Sequence, residues 1–222
     1  MTATRRDPAP GLTPAPGDHV LGNPDAPVTV LEYGDYECPY CAAAAPVLRR
    51  LVEESDGHVR LVFRNFPLAD RHPFALTAAL AAEAAGAQGA FWPMHETLMA
   101  RQDRLDDVAL RGYAEELGLD GDRVVGEAAQ PFGDKVEADF AAGLAAGVQG
   151  TPAVFVDGRL HSGRVELGVL RREIMSGGSD ADRRGDPGPR RQRRRSLAFW
   201  RAQREPLAED AQQDDAGDGR CH

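Results

Sequence analysis

Two cysteines separated by two residues are the part of this sequence with the clearest chemistry. Cys38 and Cys41 enclose Pro39 and Tyr40 in the stretch GDYECPYCAAAAP. Two thiols at this spacing can form a redox-active disulfide, supply half of a metal site, or be two small buried apolar side chains. The elements that must position the pair help to separate these three interpretations.

A strand, a helix and a second strand are predicted around the pair. VTVLEYGDY (28–36) is apolar and β-branched, which predicts a buried strand, and the segment from Cys38 to Gly57 predicts a helix. Pro39 suits the first helical turn, where its missing N–H costs nothing, whereas Pro46 predicts a kink. HVRLVFRNFPL (58–68) predicts the second strand. This order implies a right-handed crossover between two parallel strands.

The remainder of the middle region changes from helical to strand periodicity and back. Residues about 73–147 are Ala-rich and are interrupted by Gly and Pro, which predicts a helical subdomain of three or four helices. PAVFVDGRLHSGR (152–164) predicts a hairpin that turns at Asp157-Gly158, and VELGVLRREIM predicts a closing helix. The predicted fold class is therefore α/β with an inserted all-helical subdomain.

The two ends of the chain differ in composition from its middle. Residues 1–17 are Pro-rich and predict a flexible lead. Residues 177–222 contain an Arg-dense block and then an acidic one, which predicts a disordered charged tail. This tail either is simply solvated or docks an acidic partner, and it carries Cys221 as a spare thiol. The segment 18–176 is the predicted folded domain.

Composition and charge exclude several classes of protein. A hydrophobic fraction of 42% can supply a core, and a net charge of −9 argues against nucleic acid as the main partner. Three cysteines are too few for a disulfide scaffold. The sequence shows no apolar run typical of a secretory signal, nor the roughly 18 apolar residues of a membrane span. We therefore expect a soluble cytoplasmic protein with no membrane span.

The predicted position of the pair at a helix N-terminus favours redox chemistry. Unpaired N–H groups and the positive end of the helix dipole stabilise a thiolate at Cys38, and such a site lowers a cysteine pKa from about 8.5 to roughly 3.5–7.5. Cys41 lies one turn further along the helix, within disulfide reach. We therefore predict Cys38 as the nucleophile and Cys41 as the thiol that resolves the mixed disulfide.

A metal site is the weaker interpretation of the pair. A structural zinc ion needs four ligands, whereas the sequence holds one CxxC and six histidines without ligand spacing. An iron–sulfur cluster that bridges two chains is a rarer alternative. We therefore predict neither a metal nor another cofactor.

Two features outside the pair could support thiol chemistry. Glu32 lies in the middle of the first strand, where a buried acid is costly unless it has a task. It could accept the proton of Cys41, or it could be a solvated residue at the edge of the sheet. Thr151 and Pro152 directly precede the last β run. A cis bond between them would present backbone to an extended peptide, although X–Pro bonds are cis in only about 5–6% of cases.

These features occur together in the DsbA-like branch of the thioredoxin superfamily, which the chain resembles from about His19 to Met175. The segments that carry the resemblance are LGNPDAPVTVLEYGDYECPYC, VRLVFRNFPL, HPFALTAALAAEAAGAQGAFWPMHETL, YAEELGLD and GVQGTPAVFVDGR. The sequence looks like the thioredoxin-like domains that occur alone or fused after an NhaA-type sodium/proton antiporter in bacteria. The resemblance implies a thioredoxin fold with an inserted helical domain, and Glu32 matches the superfamily's buried acidic residue.

The resemblance also implies a substrate-binding surface around the first cysteine. Pro152 is expected to be cis and to face Cys38, with Thr151 beside it. Together with Pro39 and Tyr40 these residues would contact the substrate.

Two histidine-containing stretches are expected to be structural. The resemblance implies that FWPMHETL, with Trp92, Met94 and His95, packs in the core or at a domain interface instead of forming a cofactor site. His72 and Pro73 are expected to start a helix.

A shared fold leaves the direction of electron flow open. The Pro-Tyr dipeptide is glutaredoxin-like, and glutaredoxin couples lie near −200 to −230 mV, against about −120 mV for a strong periplasmic oxidant. In a cytosol at about −220 to −320 mV such a couple stays mostly reduced. We therefore predict a cytoplasmic reductase of protein or peptide disulfides that is supplied by a thiol electron donor. The alternatives are a disulfide-forming oxidase and a non-enzymatic redox-sensing or peptide-binding module.

Overall fold

The computed structural model describes residues 12–177, so Cys221 and the predicted charged tail from residue 178 onward lie outside the described residues. The strands are β1 (His19–Leu21), β2 (Val28–Gly34), β3 (Val59–Asn65), β4 (Ala153–Val156) and β5 (Arg159–Leu160). The α-helices are α1 (Pro39–Glu53), α2 (Ala75–Gly86), α3 (Phe91–Ala100), α4 (Asp107–Glu116), α5 (Gly126–Ala129), α6 (Gly133–Ala145) and α7 (Leu167–Met175). Short 3-10 turns at Gly121–Arg123 and Gln130–Phe132 flank α5.

The five strands form one mixed sheet in the order β1-β3-β2-β4-β5. The predicted parallel pair is confirmed, because β2 and β3 run parallel with Glu32 opposite Phe63, and α1 connects them. The predicted hairpin is also confirmed. Strands β4 and β5 pair antiparallel, and both turn residues, Asp157 and Gly158, have positive φ as a two-residue hairpin turn requires. Strand β2 is therefore central, with β3 on one side and β4 on the other.

One edge strand was not predicted. Strand β1 has three residues and pairs antiparallel with β3, with Val20 opposite Val62. Three residues are too few to show an alternating pattern, so pairing with β3 and not local sequence makes this segment a strand. The strand covers the edge of β3 that would otherwise be open.

The core on one side of the sheet is built between the sheet, α1 and α7. Its buried members are Val30, Ala44, Leu48, Leu51, Val52, Val59, Leu61, Val154, Val156 and Leu170. Helix α1 buries positions spaced by three and four residues, which is the apolar stripe expected of an amphipathic helix. Pro46 lies inside this helix on its exposed side. Full burial of each large aliphatic side chain in this core is worth about 1.5–3 kcal/mol and stabilises the packing of α1 against the sheet. This packing fixes where α1 begins relative to the sheet.

The inserted helical subdomain is confirmed, since α2 to α6 all lie between β3 and β4. Helix α2 is almost wholly buried and mostly alanine, whose small side chain allows neighbouring helices to approach closely. Asn65 at the end of β3 joins the subdomain to the sheet. Its Nδ2 donates to Glu83 Oε1 of α2 at 2.7 Å, and its backbone N–H donates to Asp139 Oδ2 of α6 at 3.1 Å. The fold is a thioredoxin fold with an inserted helical subdomain.

Replacing Gly143 of α6 with alanine is expected to lower the free energy of unfolding by about 1–3 kcal/mol. A Cβ there would lie 2.6 Å from Phe66 Cδ2 and 3.0 Å from Tyr33 Cδ1, so the aromatic contact between helix and sheet would have to shift. Gly112→Ala is the matched control. It lies in α4 with no atom within 4 Å of the added Cβ, and should stabilise by roughly 0.5–1 kcal/mol through helix propensity. Urea unfolding measures both, and equal effects would contradict the proposed close contact.

Candidate active site

The two cysteines lie where β2 has ended and α1 begins. Cys38 is the N-cap residue of α1 and has extended backbone angles, and Pro39 occupies the first helical turn. The backbone N–H groups of Cys41 and Ala42 donate to the Cys38 carbonyl at 3.0 and 3.1 Å. Both cysteines are free thiols. The predicted position of the pair at a helix N-terminus is therefore observed.

Both cysteines are buried, and they differ slightly in exposure. Cys41 has no exposed surface, whereas Cys38 retains 4% of its exposure. Pro39 is exposed, and Tyr40 is 74% exposed. Cys38 therefore keeps slightly more exposed surface than Cys41, and the dipeptide beside it is open to solvent.

The surroundings of Cys38 stabilise its thiolate form. The hydrogen bond from the Cys41 thiol is the largest cause, and it outweighs burial, which acts in the opposite direction. The Thr151 side chain and the backbone N–H groups of Cys41 and Tyr40 add to it, and together these groups lower the pKa of Cys38 from 9.0 to about 5. At neutral pH Cys38 is therefore mainly an anion, which is the reactive form of a thiol.

Cys41 and Glu32 are held in their protonated forms. Burial raises the pKa of Cys41 far above that of an ordinary thiol, and the hydrogen bond that it gives to Cys38 adds to this. The backbone N–H of Asp35, 3.4 Å from the Cys41 Sγ, acts in the opposite direction. Burial also raises the pKa of Glu32 to about 8, with repulsion from the Cys38 charge as the second cause.

Glu32 is a buried carboxyl group and not a solvated one. Its side chain has no exposed surface, and neither of its oxygens has a hydrogen-bond partner among the described residues. The expected alternative of a solvated edge residue is therefore wrong, since β2 is flanked by paired strands on both sides. A carboxyl group of this pKa is suited to exchange a proton near neutral pH.

The segment before β4 faces Cys38. The Thr151–Pro152 peptide bond is cis, and the Cys38 Sγ lies 3.3 Å from the Thr151 carbonyl oxygen. In the thiol form the S–H donates to this oxygen, while the buried Thr151 hydroxyl has no partner among residues 12–177. When Cys38 ionises, this hydroxyl can donate to the sulfur instead. The tertiary structure thus brings Thr151 and Pro152 next to a cysteine more than a hundred residues earlier.

Asp35 and His72 are two residues of the site that the sequence patterns did not predict. The His72 Nδ1 lies 2.8 Å from the Asp35 Oδ2, and Asp35 is buried beside Cys41. His72 was expected to start a helix, but α2 begins three residues later and the imidazole points to the dithiol loop instead. An aspartate directly after a buried strand is the signal that the sequence offers for this contact.

One side chain of the helical subdomain also contacts the dithiol loop and was not predicted. Gln102 lies just after α3, and its Nε2 donates to the carbonyl oxygens of Tyr36 at 2.8 Å and Cys38 at 2.9 Å. No sequence pattern marks this glutamine, because its partners are backbone atoms more than sixty residues away. The inserted subdomain therefore helps to fix the backbone at the first cysteine.

The stretch FWPMHETL packs as expected. Met94 and His95 are buried, and the partly buried Trp92 donates from Nε1 to the Val20 carbonyl at 3.0 Å. Burial lowers the pKa of His95 to about 3, so the ring is neutral and its Nδ1 can accept from the Tyr36 hydroxyl at 3.2 Å. These residues hold α3 against the sheet.

Neither a metal centre nor a membrane helix is found in the described part of the chain. Within residues 12–177 there is no group of three or more His, Cys, Asp or Glu side chains that could hold a metal ion. In the same range no helix has the length and apolar character needed to cross a bilayer.

A family model described as Thioredoxin matches residues 14–174. The chain belongs to this thioredoxin family. It is 32% identical to a thioredoxin-like oxidoreductase from Silicibacter pomeroyi DSS-3, covering 73% of this chain and 93% of that one with a TM-score of 0.64. BdbD from Bacillus subtilis, in its oxidised form, has the same fold, with a TM-score of 0.63 at 24% identity over 77% of this chain and 98% of that one. The resemblance to DsbA-like proteins is confirmed.

Among curated proteins the chain matches a part of longer antiporters. It is 44% identical over 182 residues to the Na(+)/H(+) antiporter NhaA 3 of Salinispora tropica, which covers 77% of this chain and 28% of that protein. The chain thus spans less than a third of the length of this relative. The name of the longer protein describes an antiporter. The part that it shares with this chain is thioredoxin-like.

Replacing Glu32 with glutamine is expected to stabilise the reduced protein. At pH 7 the folded state holds this carboxyl protonated, whereas in the unfolded chain its pKa is near 4.5. Folding therefore takes up a proton, and the stability of the native protein falls as pH rises from 4.5 through about 8. Glutamine does not titrate, so the gain should be about 1 kcal/mol at pH 5 and about 3 kcal/mol at pH 7.

Urea unfolding at the two pH values measures this gain. Glu115→Gln, at an exposed position of α4, is the control and should show no comparable pH-dependent gain. A pH-independent effect of Glu32→Gln would show that Glu32 is ionised in the folded protein.

Proposed function

We propose that the protein is a thiol–disulfide oxidoreductase that acts on protein or peptide disulfides through Cys38 and Cys41. The asymmetry of the pair carries this proposal. An ionised sulfur at a helix N-terminus, with a pKa of about 5, receives a hydrogen bond from a buried thiol one turn away. This is the division of roles that exchange through a mixed disulfide requires.

The reaction has two steps in the reducing direction. The Cys38 thiolate attacks one sulfur of the substrate disulfide, which forms a mixed disulfide and releases the other substrate sulfur as a thiolate. In the mixed disulfide Cys38 no longer carries a charge, so it no longer raises the pKa of Glu32, and this carboxyl group can release its proton to solvent. Cys41 then gives its proton to the ionised Glu32 and attacks Cys38, which releases the second substrate thiolate. The substrate gains two electrons, and the enzyme is left with a Cys38–Cys41 disulfide. A separate dithiol donor then reduces the Cys38–Cys41 disulfide by the same exchange chemistry and returns the enzyme to its reduced form.

The substrate-binding surface in this proposal surrounds Cys38. The Thr151 carbonyl lies beside the reactive sulfur, and an extended peptide can pair with backbone at Thr151 and Pro152 as an added strand. The exposed Pro39 and Tyr40 contact the residues next to the substrate cysteine. Backbone pairing fits a broad range of protein substrates, because it does not depend on their side chains.

We propose reduction as the direction of electron flow, in a cytoplasmic setting. A Cys38 pKa of about 5 lies between those of thioredoxin, about 7, and of DsbA, about 3.5. Stabilising the thiolate favours the reduced enzyme, so this couple should be more oxidising than thioredoxin and less so than DsbA. Such a couple is mostly reduced in the cytosol. The depressed Cys38 pKa also supports a second candidate, disulfide formation, if the protein meets an oxidising environment.

Variants of the two cysteines test the proposed activity. Cys38→Ser should abolish insulin reduction with a thiol donor, because the nucleophile is lost. Cys41→Ser should accumulate mixed disulfides at Cys38, because the resolving thiol is lost, and the double variant should accumulate none. Mass spectrometry of acid-quenched samples counts the trapped species. Full activity of Cys38→Ser would disprove the site, and a single stoichiometric oxidation without turnover would favour the redox-sensing alternative.

The reduction potential of the Cys38–Cys41 couple tests the direction. Equilibration with glutathione buffers should give a value near −200 to −230 mV. A value above about −150 mV would reject the reductase in favour of the oxidase.

A further inference from the structure

The backbone of Asp35 contacts both cysteines. Its N–H points to the Cys41 Sγ at 3.4 Å, and its carbonyl accepts from the Cys38 N–H at 3.1 Å. Asp35 therefore contacts Cys38, which carries the reactive sulfur, and the resolving sulfur of Cys41 itself.

The side chain of Asp35 is held by three donors. Its Oδ1 accepts from the Glu37 N–H at 2.8 Å. Its Oδ2 accepts from the Leu68 N–H and from the His72 Nδ1, both at 2.8 Å. A carboxylate oxygen accepts hydrogen bonds, so the His72 Nδ1 is the donor in this contact. Because Asp35 is 1% exposed and tied to the loop that follows β3, its peptide unit has little freedom to rotate.

We propose that Asp35 and His72 form a positioning pair for the resolving step, in which the pair holds the Asp35 N–H against the Cys41 sulfur. This inference rests on the proposed dithiol function. When Cys41 loses its proton to Glu32, the Asp35 N–H donates to the developing thiolate. The Cys41–Cys38 sulfur–sulfur bond then forms, the bond from Cys38 to the substrate sulfur breaks, and the substrate leaves as a thiolate.

The two chemical steps should depend differently on this pair. The groups that donate directly to the Cys38 sulfur are the Cys41 thiol, the Thr151 side chain and two backbone N–H groups of the first helical turn, and none of these donors belongs to His72 or Asp35. Cys41 is fully buried, so water cannot replace a hydrogen bond that its sulfur loses. A loss of the His72 contact should therefore slow the second step and leave the first one intact.

The test uses His72→Leu, which keeps much of the side-chain volume but donates no hydrogen bond. The reduced full-length protein is mixed with glutathione disulfide, quenched with acid at intervals and weighed by mass spectrometry. Formation of the glutathione adduct on Cys38 should stay within about twofold of the wild-type rate. Its resolution to the Cys38–Cys41 disulfide should slow by roughly tenfold, the scale expected for a lost hydrogen bond to a charged group.

Matched variants separate positioning from stability. His72→Gln, whose amide can donate to Asp35, should restore most of the resolving rate. His58→Ala is the control, since His58 is exposed and the contact of its side chain, with the Ser55 carbonyl, is local. It should leave both rates unchanged. If His72→Leu fails to fold, as judged by thermal unfolding, His72→Ala replaces it, because the His72 side chain is 21% exposed and its truncation is tolerable.

The outcomes distinguish this inference from the proposed function. Resolution of the His72→Leu adduct at the wild-type rate overturns the positioning pair, and so does an equal slowing of both steps. Failure of the wild-type protein to form or resolve any adduct instead overturns the dithiol function itself. Selective slowing of resolution, reversed by His72→Gln, supports the pair.

Discussion

The hydrogen bond between the two sulfurs organises the site and gives the two cysteines their separate roles. The Cys41 thiol donates and the Cys38 sulfur accepts, so the same contact lowers the pKa of Cys38 and raises that of Cys41. These roles require Cys38 at the helix N-cap and Cys41 buried one turn further along α1. The core packing of α1 against the sheet and α7 supplies that arrangement, because it fixes the start of the helix at the end of β2.

The site also carries costs that the remaining structure must offset. Glu32 places a carboxyl group in the central strand without a hydrogen-bond partner among the described residues, and Cys41 is a fully buried thiol. A buried polar group without a partner costs on the order of 1–3 kcal/mol. Such costs are typical of residues kept for chemistry, where stability is given up so that a proton can move near neutral pH.

The helical subdomain does more than cover the sheet. Gln102 fixes the backbone carbonyl of Cys38 from one side, and His72, in the loop before α2, reaches Asp35 from another. Asn65 joins the same subdomain to the end of β3. An insertion between β3 and β4 is thus in contact with the dithiol loop at several points. A thioredoxin-like part of this kind also occurs within the much longer antiporter relative, so the unit is combined with other domains.

The sequence by itself determined the elements whose signals are local. The runs VTVLEYGDY and HVRLVFRNFPL predicted β2 and β3, the Asp157-Gly158 turn predicted the hairpin, and the helix start at Pro39 placed the cysteine pair. Tertiary structure alone decided the burial of Glu32, the short strand β1 and the meeting of Asp35 with His72. The reason is physical: these properties depend on neighbours distant in sequence, and a local pattern records only the preferences of adjacent residues.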